Sequence, residues 1–232
     1  MRNRVLAAAL LLSAGCGDTG PTATTPTPPV APAPPPTPDA TASYVVTFAA
    51  SWSAATHPNM FPSNPHFSGL IGATHRAGIR FWNPGEIATN GIEAMAELGS
   101  KTPLDIGIGR AIDNGNAEHL LSGGGIARSP GNVTLAFDIS VEHPFVTLVS
   151  MVAPSPDWFV GVSEMSLFEN GDWAAEIVVE LQPYDAGTDS GNTYNAPDSD
   201  TVPRIPIAHL EGAPVAVGGI VAPVGTFTFR RQ

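Results

Sequence analysis

Along this chain, apolar and polar residues alternate with period two far more often than they recur at helical spacing. The clearest run is Val133, Leu135, Phe137, Ile139 and Val141, interleaved with Thr134, Ala136, Asp138, Ser140 and Glu142. It predicts a half-buried strand with one wet face. Residues 44–48, Tyr-Val-Val-Thr-Phe, open another strand, and further strands are expected at 79–82, 104–108, 145–152, 159–168, 173–181, 215–221 and 225–230. Helical spacing is found mainly at 89–98, where Ile92, Met95 and Ala96 share one side and Gly99 supplies a stop. Residues 116–121 are expected to form a second short helical turn. Many strands separated by Gly, Pro and Asn loops, with little helix, predict an all-β fold: an antiparallel β-sandwich with one or two short helices.

The first forty residues follow other rules. Residues 1–15 carry Arg2 and Arg4, then an unbroken apolar run over 5–12, then Ser13-Ala14-Gly15 ahead of Cys16. That run is far shorter than the roughly 20 apolar residues that span a bilayer as a helix, so it reads as an export leader. Cys16 is the chain's single cysteine, and it stands where bacterial lipoproteins are cleaved and lipidated. The expectation is a protein exported to the cell envelope and fixed to a bacterial membrane by a lipid on Cys16. A single cysteine excludes an internal disulfide, so the fold must hold by its core. Residues 16–40 form the next region, in which 21–39 hold nine prolines and five threonines. Such a segment has no apolar period and predicts an extended stalk on the order of 60 Å long, at about 3.1 Å per residue. Residues 41–232 remain, enough for one sizeable domain.

Charge narrows the partners. The formal net charge is −11, and loss of Arg2 and Arg4 with the leader makes it more negative still. Phosphate binding needs clustered Lys and Arg, so nucleic acid is excluded as a partner, and polyanionic glycans are disfavoured for the same reason. From Asp157 onward eleven acidic residues face only Arg204, Arg230 and Arg231. A field of that sign attracts divalent cations.

The chemistry concentrates in Asp185-Ala186-Gly187-Thr188-Asp189-Ser190-Gly191, read with Ser155-Pro156-Asp157-Trp158. Two glycines make the first segment a loop that can turn both carboxylates and nearby carbonyls toward one point. Calcium takes six to eight oxygens from such mixtures and tolerates irregular geometry. The twelve-residue EF-hand spacing is absent, so a calcium site here joins separate loops. Asp157 is expected just before a strand beginning near Trp158, and Asp185 and Asp189 just after the strand 173–181, at strand ends that can share one edge of the sandwich. The competing reading is plainer: Asp before Gly or Ser commonly caps a turn by accepting backbone N–H bonds.

These segments also carry a resemblance. Trp52-Ser53, His57-Pro58, Phe61-Pro62, His66-Phe67-Ser68, Ala73-Thr74-His75, Ser155-Pro156-Asp157-Trp158-Phe159-Val160-Gly161 and the segment from Asp185 to Gly191 follow in order the motifs of the spondin N-terminal domain family. The matches fall within 44–196 of a spondin-like β-sandwich domain placed at 41–232. The resemblance implies an antiparallel β-sandwich with a calcium ion held by Asp157, Asp185 and Asp189. It also implies non-catalytic adhesion to a cell-surface or matrix protein or glycan. The alternative from another class is a metal-assisted hydrolase of envelope or extracellular glycans, which would need an open coordination position beside a second acid or base.

Other polar candidates carry less. His57, His66 and His75 lack the His-Glu-x-x-His pattern of zinc hydrolases, and the prolines at 58, 62 and 65 exclude a helix there, so these histidines are expected to bond backbone in a long loop. Gly161-Val162-Ser163-Glu164-Met165 ends in methionine where a nucleophile elbow needs glycine, and Gly123-Gly124-Gly125 is followed by no lysine. Trp52, Trp82, Trp158 and Trp173 would stack on sugar rings if exposed, but large aromatics in a sandwich more commonly fill the core.

Overall fold

A computed structural model describes residues 39–232. In chain order the elements begin with β1 (Thr41–Ala50), β2 (His66–Phe67), β3 (Ile71–His75), α1 (Asn90–Leu98), α2 (Leu104–Asp113), β4 (Ala117–Ser122), β5 (Gly131–Ser140), β6 (Phe145–Ala153) and β7 (Trp158–Ser166). They continue with β8 (Phe168–Glu169), β9 (Asp172–Trp173), β10 (Glu176–Leu181), β11 (Tyr184–Asp185), β12 (Ala208–His209), β13 (Ala216–Val217), β14 (Ile220–Val221) and β15 (Gly225–Arg231). One sheet runs β10-β15-β1-β5, and the other runs β12-β11-β7-β6-β3-β4 with β2 added to β6. Every pairing between these strands is antiparallel.

The expected β-sandwich is therefore present, and its core follows from the alternation. On β1, Tyr44, Val46 and Phe48 are wholly buried while Ser43 and Ala49 are exposed. Phe227 and Phe229 of β15 and Phe137 and Ile139 of β5 join them, facing Leu148, Val152, Val160 and Trp158 of the second sheet. Phe48 meets Phe67 and Phe227 edge to face, with ring centroids 4.8 and 5.1 Å away, the preferred geometry of aromatic pairs. All four tryptophans are buried, so none offers a sugar-stacking face.

The second sheet is covered on both sides, which is why β3 and most of β6 are buried along their whole length. Ile71, Val149, Met151 and Phe159 face away from the first sheet and pack under Ile92, Met95 and Ile108 of the two helices. Helix α1 starts where the pattern placed it: the Thr89 side chain accepts the Ile92 N–H, and Gly99 closes the last turn at φ 64°.

Several local expectations are corrected. Residues 104–108 are the first half of α2, not a strand; Leu104 and Ile108 bury at i, i+4 spacing, whereas Ile106, which made the segment look alternating, is 49% exposed. Residues 116–121 lie mostly in β4, because β3 offers that segment a strand edge to pair with. Residues 79–82 form a loop that delivers Trp82 to the core. The expected strand 173–181 is broken after Trp173: β9 turns back onto β8, while β10 joins β15. Residues 215–221 fold into the β13–β14 hairpin, whose two-residue turn places Gly218 and Gly219 at φ 60° and 83°, a turn that strongly favours glycine. The leader, Cys16 and nearly all of the stalk lie outside the described residues.

Candidate metal centre

Ser155-Pro156-Asp157-Trp158 is the turn between β6 and β7. The Ser155 hydroxyl donates to the Val152 carbonyl at 2.5 Å and accepts the Trp158 N–H at 3.1 Å, a local bracket that fixes the entry into β7. Trp158 pairs with Asp185 across β7 and β11, and the Ala186 N–H donates to the Asp157 carbonyl. The two acidic segments are thus adjacent because β7 begins and β11 ends there; the strand 173–181, from which this edge was expected, does not supply it, since β10 lies in the other sheet. Asp185 itself is the last residue of β11, a two-residue strand the alternation did not reveal.

Asp157 is wholly buried. Its Oδ2 accepts the Thr188 N–H at 2.8 Å, the Thr188 hydroxyl at 3.2 Å and the Asp189 N–H at 3.1 Å. Its Oδ1 has no hydrogen-bond partner among the described residues. Among the described residues the other unpartnered buried side-chain atoms are three tryptophan nitrogens and the Tyr194 hydroxyl, so Asp157 Oδ1 is the sole carboxylate oxygen in that set. Asp185 Oδ1 accepts the Gly187 N–H at 2.7 Å. Asp189 Oδ1 accepts the Gly191 N–H at 2.6 Å, and its Oδ2 accepts the Ser199 N–H at 3.1 Å. All three aspartates therefore cap turns, and two of them retain oxygens with no such duty.

The electrostatics leave negative charge in excess. Burial raises the Asp157 carboxyl above the ordinary aspartate range against the pull of its three donors, and the Asp189 charge raises it further. Asp185 is pushed up to about 6, chiefly by burial and then by the Asp157 charge. Desolvation and neighbouring like charge both disfavour the ionised form, and a divalent cation would reverse both effects.

The donor set suits a hard cation. Carboxylates and loop carbonyls are calcium ligands, and a wholly buried, unpartnered carboxylate oxygen is costly without one. Among the described residues, no three His, Cys, Asp or Glu side chains already converge closely enough to grip an ion. Asp157, Asp185 and Asp189 form a neighbourhood that a cation would draw together with backbone carbonyls and water.

The structure adds a partner that sequence reasoning missed. Residues 199–205 run alongside the acidic loop, with Thr201 N–H donating to the Thr188 carbonyl at 2.8 Å and Ile205 N–H to the Gly187 carbonyl at 3.0 Å. A Cβ on Gly187 would come within 2.1 Å of the Ile205 carbonyl oxygen, and φ there is 74°, so this position requires glycine on two counts. Arg204 then fastens the strap to helix α1, donating to the Ala88 carbonyl at 3.1 Å and to Asn90 Oδ1 at 3.0 Å and pairing with Glu93. The available signal was its rarity: Arg204 is the only cation between Asp157 and Arg230.

The three histidines do not meet. His57 Nε2 pairs with the Ala222 carbonyl, His66 Nδ1 with the Asn64 carbonyl and His75 Nδ1 with the Arg76 carbonyl, at 3.2, 2.8 and 2.9 Å. Each bonds backbone as expected, although His66 and His75 lie in strands. Burial lowers the affinity of His57 and His75 for a proton.

Fold and site together define a class: an antiparallel β-sandwich with a helix pair on one sheet and a carboxylate-rich loop cluster at the β6–β7 turn. The Spondin_N family model matches residues 42–215. The chain is 32% identical to Spondin-2 of Rattus norvegicus over 173 residues, which is 73% of this chain and 52% of that protein. It is 36% identical to Spondin-1 of Gallus gallus over 176 residues, 73% of this chain and 22% of that one. The chain belongs to the spondin N-terminal domain family. It spans about half the length of Spondin-2 and about a fifth of Spondin-1. The matched region runs past 196 and takes in the strap at 199–205.

Proposed function

We propose that this domain is a calcium-dependent, non-catalytic binding module that an exported protein presents at the cell envelope. The observation that carries the calcium reading is Asp157: a wholly buried carboxylate with one oxygen unpartnered, beside two further aspartates. Asp157, Asp185 and Asp189 are the side-chain ligands in this reading, and backbone carbonyls and water complete the shell. The ion's role is to hold the β6–β7 turn, the acidic loop and the strap in one shape for an outside partner. Membership in the spondin N-terminal domain family supports adhesion to a cell-surface or matrix protein or glycan. The leader and Cys16 support a lipid anchor, with residues 16–40 as the spacer between membrane and domain.

Calorimetric titration of chelator-stripped protein with calcium chloride tests this reading. Saturable binding is expected in wild type, with loss of affinity in Asp157→Asn, Asp185→Asn and Asp189→Asn. Equal binding by all three variants, or none by wild type, sinks the calcium centre. The anchor is tested separately: mass spectrometry of the mature amino-terminal peptide finds a lipid on Cys16, and Cys16→Ser releases the domain from membranes. An unlipidated Cys16 ends the anchor reading and leaves the calcium reading intact.

A further inference from the structure

The second sheet has a gap beside β7. Strand β11 is two residues long and pairs with β7 only at Trp158 and Phe159, so the rest of β7, up to Ser166, has β6 on one side and no strand on the other among the described residues. The gap is a cleft of about 410 Å³, walled by β7, the loop that carries Trp82, the end of β10, and Tyr184 and His209. Small-molecule sites occupy roughly 300–1,000 Å³ and combine apolar walls with a few placed polar groups.

This cleft has both. Val162, Met165 and Val179 supply the apolar walls, and Asn83, Gln182 and Glu180 bring two amides and a carboxylate. Among the described residues those three side chains, the Tyr184 hydroxyl and the His209 ring have no hydrogen-bond or ion-pair partner. Trp82 also lines the cleft, 4% exposed and with its Nε1 unpartnered. The frame is rigid. Tyr184 stands directly opposite Phe159 and His209 across the sheet, with ring centroids 5.6 and 4.2 Å away, and Trp82 meets it edge-on at 4.9 Å. The Ser163 hydroxyl donates to the Trp82 carbonyl at 2.6 Å and pins that loop to β7. Groups held in place beforehand lose little freedom when a ligand arrives.

The lining selects among ligand classes. No Lys or Arg lines the cleft, and the Glu180 carboxylate repels an anion. A purely apolar ligand would strip water from two amides, a phenol and a carboxylate and return no hydrogen bond. Phe159 and His209 stack on either side of Tyr184, so its ring has no open face to hold a quaternary cation. A neutral sugar meets every requirement: its hydroxyls donate to Glu180 and both donate to and accept from the amides and the phenol, while its C–H edges lie on valine and methionine. Glycoside cleavage takes two carboxylates flanking the bond, and Glu180 is the single acid lining the cleft, so the ligand is held and not cut.

We propose that this cleft binds a neutral saccharide, with Asn83, Glu180, Gln182 and Tyr184 hydrogen-bonding its hydroxyls. The proposal rests on the binding-module reading above and gives it a ligand class and a place, and it uses none of the three aspartates.

NMR titration of the isotope-labelled protein with cellobiose, lactose and diacetylchitobiose, in calcium and again in chelator, is the test. At least one of these disaccharides is expected to give saturable shifts grouped at 82–84, 161–165, 180–184 and 209, half-saturating at about 1 mM. Tyr184→Phe keeps the ring packing and removes only the hydroxyl, and Gln182→Ala removes an amide; each is expected to weaken binding about tenfold. Glu169→Gln, an exposed acid in β8, serves as the control and changes nothing. A cleft titration seen in either buffer supports the proposal, so a failure of the calcium centre does not carry over to it. Saturable shifts elsewhere on the domain, or wild-type affinity in both cleft variants, overturn the cleft as the site and leave the binding-module reading standing. No saturable shift from any of the disaccharides at concentrations about tenfold above that half-saturation overturns the saccharide proposal and leaves a protein as the partner of the module.

Discussion

The outer face of the β10-β15-β1-β5 sheet and the loop cluster around Asp157 both carry acids, and they treat them in opposite ways. On the sheet, Glu176 pairs with Arg230 at 2.5 Å, Asp39 with Arg231 at 2.9 Å, and Asp138 accepts the Ser43 hydroxyl at 2.6 Å, all with water at hand. In the loop cluster, Asp157, Asp185 and Asp189 are answered among the described residues only by N–H groups and one hydroxyl, and Arg204 of the neighbouring strap is engaged with Glu93. A sheet face carries solvated charge at little cost, whereas a buried carboxylate needs either a proton or a cation. The sandwich is therefore expected to be stable on its own, and the loop cluster only with a ligand.

The largest test of that contrast is Phe48→Ala. It empties an aromatic site that is 0% exposed between the sheets and costs about 3–5 kcal/mol. Chemical denaturation should show the same loss with and without calcium; a calcium-dependent loss would mean that core and site are not separable. Asp157→Ala comes next. It strips the partners from the Thr188 and Asp189 N–H groups, at about 1–3 kcal/mol for each donor left buried. It also removes the calcium-induced gain in melting temperature, and a retained gain would place the ion elsewhere.

A smaller effect concerns pH. The folded state holds the Asp185 carboxyl up at about 6, so between about pH 4 and 6 it keeps a proton that the unfolded chain has released. Native proton binding exceeds unfolded binding there, and calcium-free stability falls as pH rises through that window, by on the order of 2 kcal/mol. Calcium competes with that proton, so its stabilising effect grows over the same range. A flat calcium-free profile, read from melting temperatures at pH 4.5 to 7, would contradict this view of the site. Smallest is Arg230→Gln on the sheet face, where an exposed pair contributes under about 1 kcal/mol and the calcium response is unchanged.

Strand β5 was legible because a single wet face leaves period two intact in the residues. So was α1, whose Thr89 and Gly99 caps are local chemistry. Residues 104–108 were not, since Leu-Asp-Ile-Gly-Ile suits a strand until the covered face of the second sheet takes Leu104 and Ile108. The acidic motifs at 157 and 185–189 were readable as candidates, and their order with the Trp and His motifs pointed to the family. The strap was not readable, because it acts through contacts with residues far away in the chain.

The amino-acid order alone thus set the alternation that makes the two sheets, the helix caps at Thr89 and Gly99, and the acidic loop segments. Such features depend on near neighbours and on which face meets water. Tertiary structure decided that β11 lies beside β7, that residues 199–205 close over Gly187, and that Arg204 ties them to α1. These are long-range pairings selected by the packing of both sheets and the helices, and a carboxylate is desolvated only where such packing removes water from around it.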